Sequence, residues 1–299
     1  MNIHDLKLDP IERVACVTSD QVRAYIRGKR RPLIFSGLDA HFKFLRTWDL
    51  ERLARIESLV SAQRPAPDGV NYFTKYTKMP LSEACQRLER GEDLYIGARK
   101  ILGNCAVRFD RDGLGELHSD VVLPPWLDRT RIASANLWLG AGGNRTLLHF
   151  DPWDGYLMLG GGKKTFVVLP PEESPKVFAN HPLDYKALLR GELLDSRIRP
   201  LNVQEEYEAR FRSVKGFKGS IDAGEMMYIP AGFWHYVESS GANVGINFFV
   251  HADDQQLFLR EPLLTWWIKT RVTMWPIRTY RKAELIAGTC FRSVFPRRD

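Results

Sequence analysis

The sequence predicts a mainly β fold, a double-sheet jelly roll with flanking α-helices and a C-terminal helical segment. Two observations support this fold class. From about Ser134 to Val250 the chain alternates short β-rich runs with Gly and Pro, a pattern typical of a jelly roll. N-terminal to this region, apolar residues recur at helical spacing. We therefore divide the chain into a β domain with N-terminal helices, residues 1–255, and a helical appendage, residues 256–299.

The region before the β-rich runs contains two predicted helices. LERLARIESLVSA, from Leu50 to Ala62, and LSEACQRLER, from Leu81 to Arg90, both place apolar residues on one helical face. Pro80 stands directly before the second helix, where proline is tolerated. Between the two predicted helices, the segment RPAPDGVNYF from Arg64 is predicted to form a Pro-rich loop. We expect both helices to pack outside the jelly roll.

The β-rich region contains a set of candidate metal ligands. His149 and Asp151 are two residues apart in a strand-like run, so their side chains point to the same face, about 6–7 Å apart. A third candidate, His235, follows a predicted strand at Met226–Ile229 and a turn at 230–232. Two imidazoles and one carboxylate can occupy one face of Fe(II) and leave the other positions open. The alternative is that both histidines only fill the interior of the barrel.

The segments around these residues resemble a known family. HFDPWDGYLMLGGGKKTFVVLPP, which begins at His149, GEMMYIPAGFWHYVES, which ends at Ser239, and GINFFV resemble the jumonji-C (JmjC), cupin-like family of Fe(II)- and 2-oxoglutarate-dependent dioxygenases. RPLIFSGLDAHFKFL and DLYIGA resemble upstream segments of the same family. The resemblance covers roughly residues 20–255. It implies a double-stranded β-helix of the cupin/JmjC type and a hydroxylase that couples substrate oxidation by O2 to decarboxylation of 2-oxoglutarate.

The resemblance also implies roles for individual residues. It assigns His149, Asp151 and His235 to the catalytic iron, and Lys164 to the distal carboxylate of 2-oxoglutarate. A lysine ammonium is a compact cation that suits a carboxylate, particularly in a pocket that excludes water. The other cofactor-binding candidates are polar residues whose hydroxyl or amide groups match family positions: Thr146, Tyr95 and Asn247.

Two of these assignments have structural alternatives. Lys164 follows Gly160–Gly162 and Lys163, and such a stretch is usually a solvated turn, whereas in a strand Lys163 points to the opposite face. Tyr95 also fits an ordinary core position. A buried cation at Lys164 would distinguish an oxygenase from two other classes, a catalytically silent cupin-like binding module and a metal cupin that acts without 2-oxoglutarate.

The sequence leaves the substrate open. Family hydroxylases often carry a polar residue, commonly asparagine, where this chain has Gly155, so the resemblance does not identify the substrate. A protein side chain, an RNA base and a small metabolite all remain as targets. The product can come from hydroxylation or from demethylation.

Composition and cysteine usage exclude several classes of protein. The chain has 299 residues, of which 44% are hydrophobic, enough for one large domain with an appendage. Its four cysteines show no CxxC pair and no even spacing, so neither structural zinc nor a disulfide framework is expected. No apolar run reaches the length of a membrane span, and the N-terminus lacks the apolar stretch of a signal peptide. These features predict a cytoplasmic protein.

The C-terminal segment is basic and aromatic. Residues 260–299 contain nine Lys or Arg and three Asp or Glu, a net charge of +6 out of +7 for the whole chain. Tryptophans are interleaved with these basic residues. We favour packing or homodimerisation through C-terminal helices, because apolar residues between Leu263 and Ile268 form a stripe that requires burial. A surface for RNA and an interfacial membrane helix are the alternatives.

Overall fold

The computed structural model describes residues 1–15, 18–28, 30–41, 43–64, 70–71, 77–103, 117, 120–180, 194–252, 259–264 and 267. These residues form a mostly β architecture with few helices. The α-helices are α1 (Ser19–Gly28), α2 (Leu50–Ala54), α3 (Leu81–Glu89) and α4 (Glu205–Phe211). The strands are β1 (Asp9–Pro10), β2 (Glu12–Ala15), β3 (Leu33–Ser36), β4 (Leu59–Gln63), β5 (Val70–Asn71), β6 (Thr77–Pro80), β7 (Tyr95–Gly103), β8 (Ile132–Gly140), β9 (Arg145–Phe150), β10 (Asp154–Leu169), β11 (Phe217–Asp222), β12 (Met226–Ile229) and β13 (Trp234–Val250).

Two long strands organise the β structure. β10 and β13 are antiparallel and pair along most of their lengths, from Asp154 opposite Val250 to Leu169 opposite Trp234. The first half of β10 also pairs with β12, and its second half pairs with β11. The second half of β13 pairs with β8, and its first half pairs with β9. Each long strand therefore belongs to two sheets, which confirms the predicted double-stranded β-helix.

The other strands extend the two sheets outward. On one side the order is β2-β3-β12-β10-β13-β8-β7-β4-β6. On the other, β1, β11, β10, β13, β9 and β5 are successive neighbours. The side chains of Phe35, Phe166, Met227 and Phe248 are fully buried in the core between these elements. Burial of such side chains contributes about 1.5–3 kcal/mol each.

A run of three glycines bends β10 where it passes from one sheet to the other. The register between β10 and β13 shifts between Leu159 and Lys163. Gly162 has a φ of +76°, and a Cβ on this residue would lie 2.6 Å from the carbonyl oxygen of Ala242. Only glycine accommodates this conformation and this close approach without strain. The glycines thus form a bend inside a strand, and the alternative of a solvated turn at the two lysines is wrong.

The helix predicted from Leu50 to Ala62 is correct only in its first part. α2 ends at Ala54, and β4 begins at Leu59. In β4 Val60 is buried while Leu59 is exposed, and the strand pairs with β6 and β7. Packing between strands therefore overrides the helical periodicity of this segment. The helix predicted from Leu81 is confirmed as α3.

Some sequence-based expectations fall outside the described residues. Most of the Pro-rich loop does so, although Val70–Asn71 forms β5 and pairs with β9. Nearly all of the C-terminal segment, with its predicted dimer or RNA surface, also lies outside them. Leu263 is buried, and its side chain lies against the turn at Gly232. In the described part of the chain no helix is long and apolar enough to cross a membrane.

Candidate metal centre

His149, Asp151 and His235 converge in space. β9 and β13 are antiparallel neighbours, and His149 lies directly opposite His235 in their register. The two imidazole rings are 4.1 Å apart between centroids. Asp151 follows the end of β9, and its Oδ2 lies 3.5 Å from Nε2 of His235. One ligand atom from each of the three residues lies within 4.8 Å of the other two. A single ion can therefore contact all three side chains.

Main-chain carbonyl groups fix the orientation of both histidines. Nδ1 of His149 is 2.7 Å from the carbonyl oxygen of Leu147, and Nδ1 of His235 is 3.0 Å from that of Phe233. A carbonyl oxygen only accepts hydrogen bonds, so each Nδ1 carries its hydrogen and donates it. Each Nε2 then keeps its lone pair for a metal ion, as in the histidines of known metal sites.

The turn before β13 is held next to the ligands by hydrogen bonds. The main-chain N–H of Gly232 donates to the main-chain oxygen of Asp151 at 2.9 Å. The buried carboxylate of Asp154 accepts from the N–H of Ala231 at 2.8 Å and forms an ion pair with Arg30 at 3.2 Å. These contacts anchor the turn through which the chain reaches the third ligand.

The environment of the ligands suits a cation. Burial, together with the neighbouring His235, lowers the pKa of His149 to about 4. Burial acts to raise the pKa of Asp151, but its interactions with the adjacent His235 and His149 outweigh this effect, so that the pKa is lowered. Near neutral pH, His149 is therefore neutral and Asp151 is an anion, the protonation states that metal binding requires. The donor set of two imidazoles and one carboxylate fits Fe(II).

A cavity of ≈ 260 Å³ adjoins the three ligands. The four residues that the sequence assigned to the cosubstrate all line this cavity: Lys164, Thr146, Tyr95 and Asn247. They come from four different strands, β10, β9, β7 and β13. The structure therefore brings every sequence-predicted site residue to one place.

Lys164 is the most unusual of these residues. Its side chain is buried, with only 3% of the residue exposed. Its Nζ donates to Oγ of Ser239 at 2.6 Å. Among the residues that the structure describes, no carboxylate forms an ion pair with it. Burial lowers its pKa to about 8. Lys163, on the opposite face as predicted, is half exposed and lies 3.4 Å from Asp222.

The other predicted cosubstrate residues are polar groups in the cavity wall. Oγ1 of Thr146 donates to the main-chain oxygen of Val237 at 3.3 Å. Tyr95 is buried, with its ring 5.9 Å from that of Trp138. Oδ1 of Asn247 is buried without a hydrogen-bond partner among the described residues. An acceptor in this state is available to a bound molecule.

Gly155 leaves open space beside Asn247. A Cβ on Gly155 would lie 3.7 Å from Oδ1 of Asn247, an ordinary van der Waals distance, and no atom would come closer. The absence of a side chain at this position therefore enlarges the cavity next to an available amide group.

Sequence reasoning missed several residues that line the cavity or contact its lining residues. His235, Val237 and Ser239 alternate along β13, so a strand period of two could have identified Ser239 as a neighbour of the site. Trp153 and Phe249 form an aromatic pair in the wall, 5.5 Å apart between ring centroids. No local pattern marks this pair, because its members lie far apart in the sequence.

Comparison with known proteins agrees with this geometry. A family model described as a cupin-like domain matches residues 19–256. A lysine-specific demethylase of Arabidopsis thaliana is 27% identical over 172 residues, covering 56% of this chain and 30% of that protein. The tRNA wybutosine-synthesizing protein 5 of Mus musculus is 21% identical over 259 residues, which cover 80% of this chain and 77% of that protein. Lysine-specific demethylase 8 of Xenopus tropicalis is 21% identical over 244 residues, with coverages of 80% and 52%. The chain thus matches 30% to 77% of the length of these relatives.

Proposed function

The chain belongs to the cupin-like domain family, whose JmjC members use Fe(II), 2-oxoglutarate and O2, and we propose that it is a 2-oxoglutarate-dependent hydroxylase. When bound, the iron and 2-oxoglutarate supply the oxidation of a substrate C–H group, with release of succinate and CO2. His149, Asp151 and His235 are the residues that would hold the iron. The other residues of the site bind the cosubstrate, orient the target and exclude water.

The observation that carries this proposal is the buried amine of Lys164. A buried cation is costly unless an anion or several hydrogen bonds compensate it. Lys164 has one hydrogen bond, to Ser239, and no ion pair with the described residues. A dicarboxylate that chelates the iron at one end and reaches Lys164 at the other would supply the missing anion. Neither a silent binding module nor a metal cupin without a keto acid accounts for this amine.

Neighbouring hydroxyl groups also favour a carboxylate bound beside Lys164. Because Oγ of Ser239 accepts from Lys164, its own hydrogen is free to donate to a carboxylate. The hydroxyl of Thr146 lies in the cavity wall and can turn from Val237 to a bound anion. A carboxylate held by one ammonium and two hydroxyl groups would have strong, charge-assisted hydrogen bonds. We assign Tyr95 and Asn247 to the same bound cosubstrate.

The target of the reaction is proposed only as a class. Apolar residues line much of the cavity, including Leu157, Ile229 and the pair of Trp153 and Phe249. Such a wall favours an apolar C–H group as the oxidised position. We propose that this group belongs to a protein side chain, an RNA base or a small metabolite.

The deciding experiment is an anaerobic titration of 2-oxoglutarate into Fe(II)-loaded protein. Bidentate chelation of iron by the keto acid produces a visible metal-to-ligand charge-transfer band, and we expect a saturable band. Iron binding without a band would favour the metal cupin that acts without 2-oxoglutarate. Failure to bind iron at all would favour the silent binding module.

A further inference from the structure

A second cavity, of ≈ 800 Å³, lies on the reverse side of the sheet that forms the catalytic cavity. Side chains alternate across a strand, so a single strand can line both cavities. In β10, Gly155 and Leu157 line the catalytic cavity, whereas Asp154 and Tyr156 line the second one. The two cavities are therefore separate and share one wall of backbone.

Arginines dominate the charge of this second cavity. Arg23 and Arg27 are one turn apart on α1, and Arg30 follows shortly after the helix ends, so that all three line the same side. Arg131, which directly precedes β8, lines the cavity from another element. Among the described lining residues, the acidic groups are Asp128 and Asp154, two against four arginines.

The two carboxylates offset only part of this positive charge, because both also have other partners. Asp154 pairs with Arg30 and accepts from the N–H of Ala231. Asp128 accepts from the hydroxyl and from the main-chain N–H of Thr130, at 2.7 and 2.9 Å. Even with both carboxylates ionised, the described lining residues keep a net positive charge.

Arg23 makes only weak or neutral contacts with the described residues. Arg23 lies 3.4 Å from Asp20, whose side chain is 93% exposed, and such surface pairs contribute little. Arg23 also donates to the carbonyl oxygen of Pro125. Arg131 donates to the carbonyl oxygen of His251 and interacts electrostatically with Asp128. In the described part of the chain, Arg27 forms no ion pair. Positive charge is thus concentrated in a concave space.

We propose that this cavity binds a ligand that carries phosphate groups, held by Arg23, Arg27 and Arg131. A guanidinium group presents several N–H donors in a fixed plane, which matches the oxygens of a phosphate. A phosphate also offers three terminal oxygens to donors that come from different directions, as these arginines do. The cavity volume is within the range of about 300–1,000 Å³ that small-molecule sites occupy. Two sources have this chemistry, a phosphorylated small molecule and the backbone of a nucleic acid.

The test is calorimetric titration of the full chain, without iron or 2-oxoglutarate, with inorganic tripolyphosphate and with a short single-stranded RNA. The variant is the double substitution Arg23→Ser and Arg27→Ser. The matched control, Arg55→Ser with Arg212→Ser, removes the same charge from exposed arginines outside the cavity. We expect the cavity variant to lose at least about tenfold in affinity, because charge-assisted hydrogen bonds are lost. The control should change affinity by less than about twofold, because distant surface charges are screened.

Each outcome bears on the proposal directly. Tripolyphosphate binding that the cavity variant weakens supports a small-molecule source, and RNA binding alone with the same loss supports a nucleic-acid source. Equal losses in the two double variants, or no binding of either probe, would overturn the proposal, as would equally tight binding of citrate. Arg131→Ser is a second variant on a different element and guards against a local folding defect. Because no iron is present, the result is independent of the proposed hydroxylase activity.

Discussion

Lys163 and Lys164 are adjacent in sequence and opposite in environment. One is half exposed beside Asp222, and the other is buried beside Ser239 in the catalytic cavity. The alternation of side chains along β10 produces this difference. At the residue scale, the pair therefore offers a functional position and a control of the same chemical type.

We predict that Lys164→Ala weakens 2-oxoglutarate binding by about 100-fold, because a buried ammonium–carboxylate contact is lost. Metal content should not change, because Lys164 is not among the three candidate ligands. The anaerobic charge-transfer titration measures the affinity, and Lys163→Ala should retain it. Unchanged affinity in Lys164→Ala would remove the lysine from the cosubstrate site.

We predict that 2-oxoglutarate affinity depends on pH through Lys164. Burial lowers the pKa of this amine from 10.5 to about 8 in the protein without ligand. Above that pH the free protein holds a neutral amine, which must bind a proton to pair with a carboxylate. Affinity should be constant below about pH 8 and fall about tenfold per pH unit above it. A titration series from about pH 7 to about pH 10 measures this dependence.

The lowered pKa of Lys164 has the opposite effect on the stability of the ligand-free protein, which should rise with pH where the affinity for 2-oxoglutarate falls. The unfolded chain keeps the proton on this amine up to its ordinary pKa of 10.5, whereas the folded chain releases it from about 8. Its contribution to the free energy of unfolding should therefore rise between these two pH values. Lys164→Arg is the control for both effects, because a guanidinium stays charged throughout this range. A profile with the same slope in that variant would show that another group is responsible.

We predict that Asp151→Ala lowers the affinity for a divalent metal by more than about 100-fold, because one of three donors is lost. The turn should remain in place, because Gly232 donates to the main-chain oxygen of Asp151 and not to its side chain. Mn(II) affinity, measured by competition with a chromophoric chelator, reports this change. Asp222→Ala, which removes an exposed carboxylate, should bind metal normally, and an intact site in Asp151→Ala would show that the ligand is misassigned.

The element that most determines the site is the bend in β10. It allows one strand to carry Gly155 and Leu157 in one sheet and Lys164 in the other, all lining the same cavity. The bend depends on glycines that pack against Leu45 and Ala242.

We predict that Gly162→Ala lowers the free energy of unfolding by about 2–4 kcal/mol, because it adds a steric clash to an unfavourable φ. Gly91→Ala is the matched control, since Gly91 has a φ of +77° but a Cβ on this residue would meet no atom within 4 Å. Gly91→Ala should lower the free energy of unfolding by only about 1–2 kcal/mol. Denaturant unfolding of both variants measures the difference, and equal losses would show that the close approach to Ala242 is unimportant.

Elements were predictable from the sequence where local periodicity and tertiary packing agree. α3 begins at Leu81, as its apolar spacing predicts. The helix predicted through Ala62 ends at Ala54, because the following residues form β4 and pair with two other strands. Such pairing is a long-range property that a local window cannot contain.

At the scale of the whole molecule, the ligands of the metal join β9, the turn after it and β13. We predict that Mn(II) with 2-oxoglutarate raises the midpoint of thermal unfolding. A ligand at about 100 times its dissociation constant adds about 2.7 kcal/mol to the free energy of unfolding, which corresponds to roughly 5 °C or more for a domain of this size. Scanning calorimetry measures the shift, and Asp151→Ala should abolish it. An equal shift in that variant would place the stabilising ligand elsewhere.

The chain as a whole also presents two cavities back to back. Asp154 links them, because its carboxylate pairs with Arg30 of the second cavity and accepts from Ala231 in the turn that leads to His235. The homodimer through the C-terminal helices, the division at residue 255 and the cytoplasmic setting stay predictions.

The sequence by itself determined the β fold class, the family and the chemical types of the site residues. Strand spacing places His149 and Asp151 on one face, and family resemblance adds His235 and Lys164. Tertiary structure alone decided that the two histidines lie opposite each other, that Lys164 is buried, and that its partner is Ser239, 75 residues away in the chain. It also placed the arginines of α1 in a cavity with Arg131. The physical reason is that side-chain periodicity is a local property, whereas burial and charge compensation depend on which distant strands become neighbours.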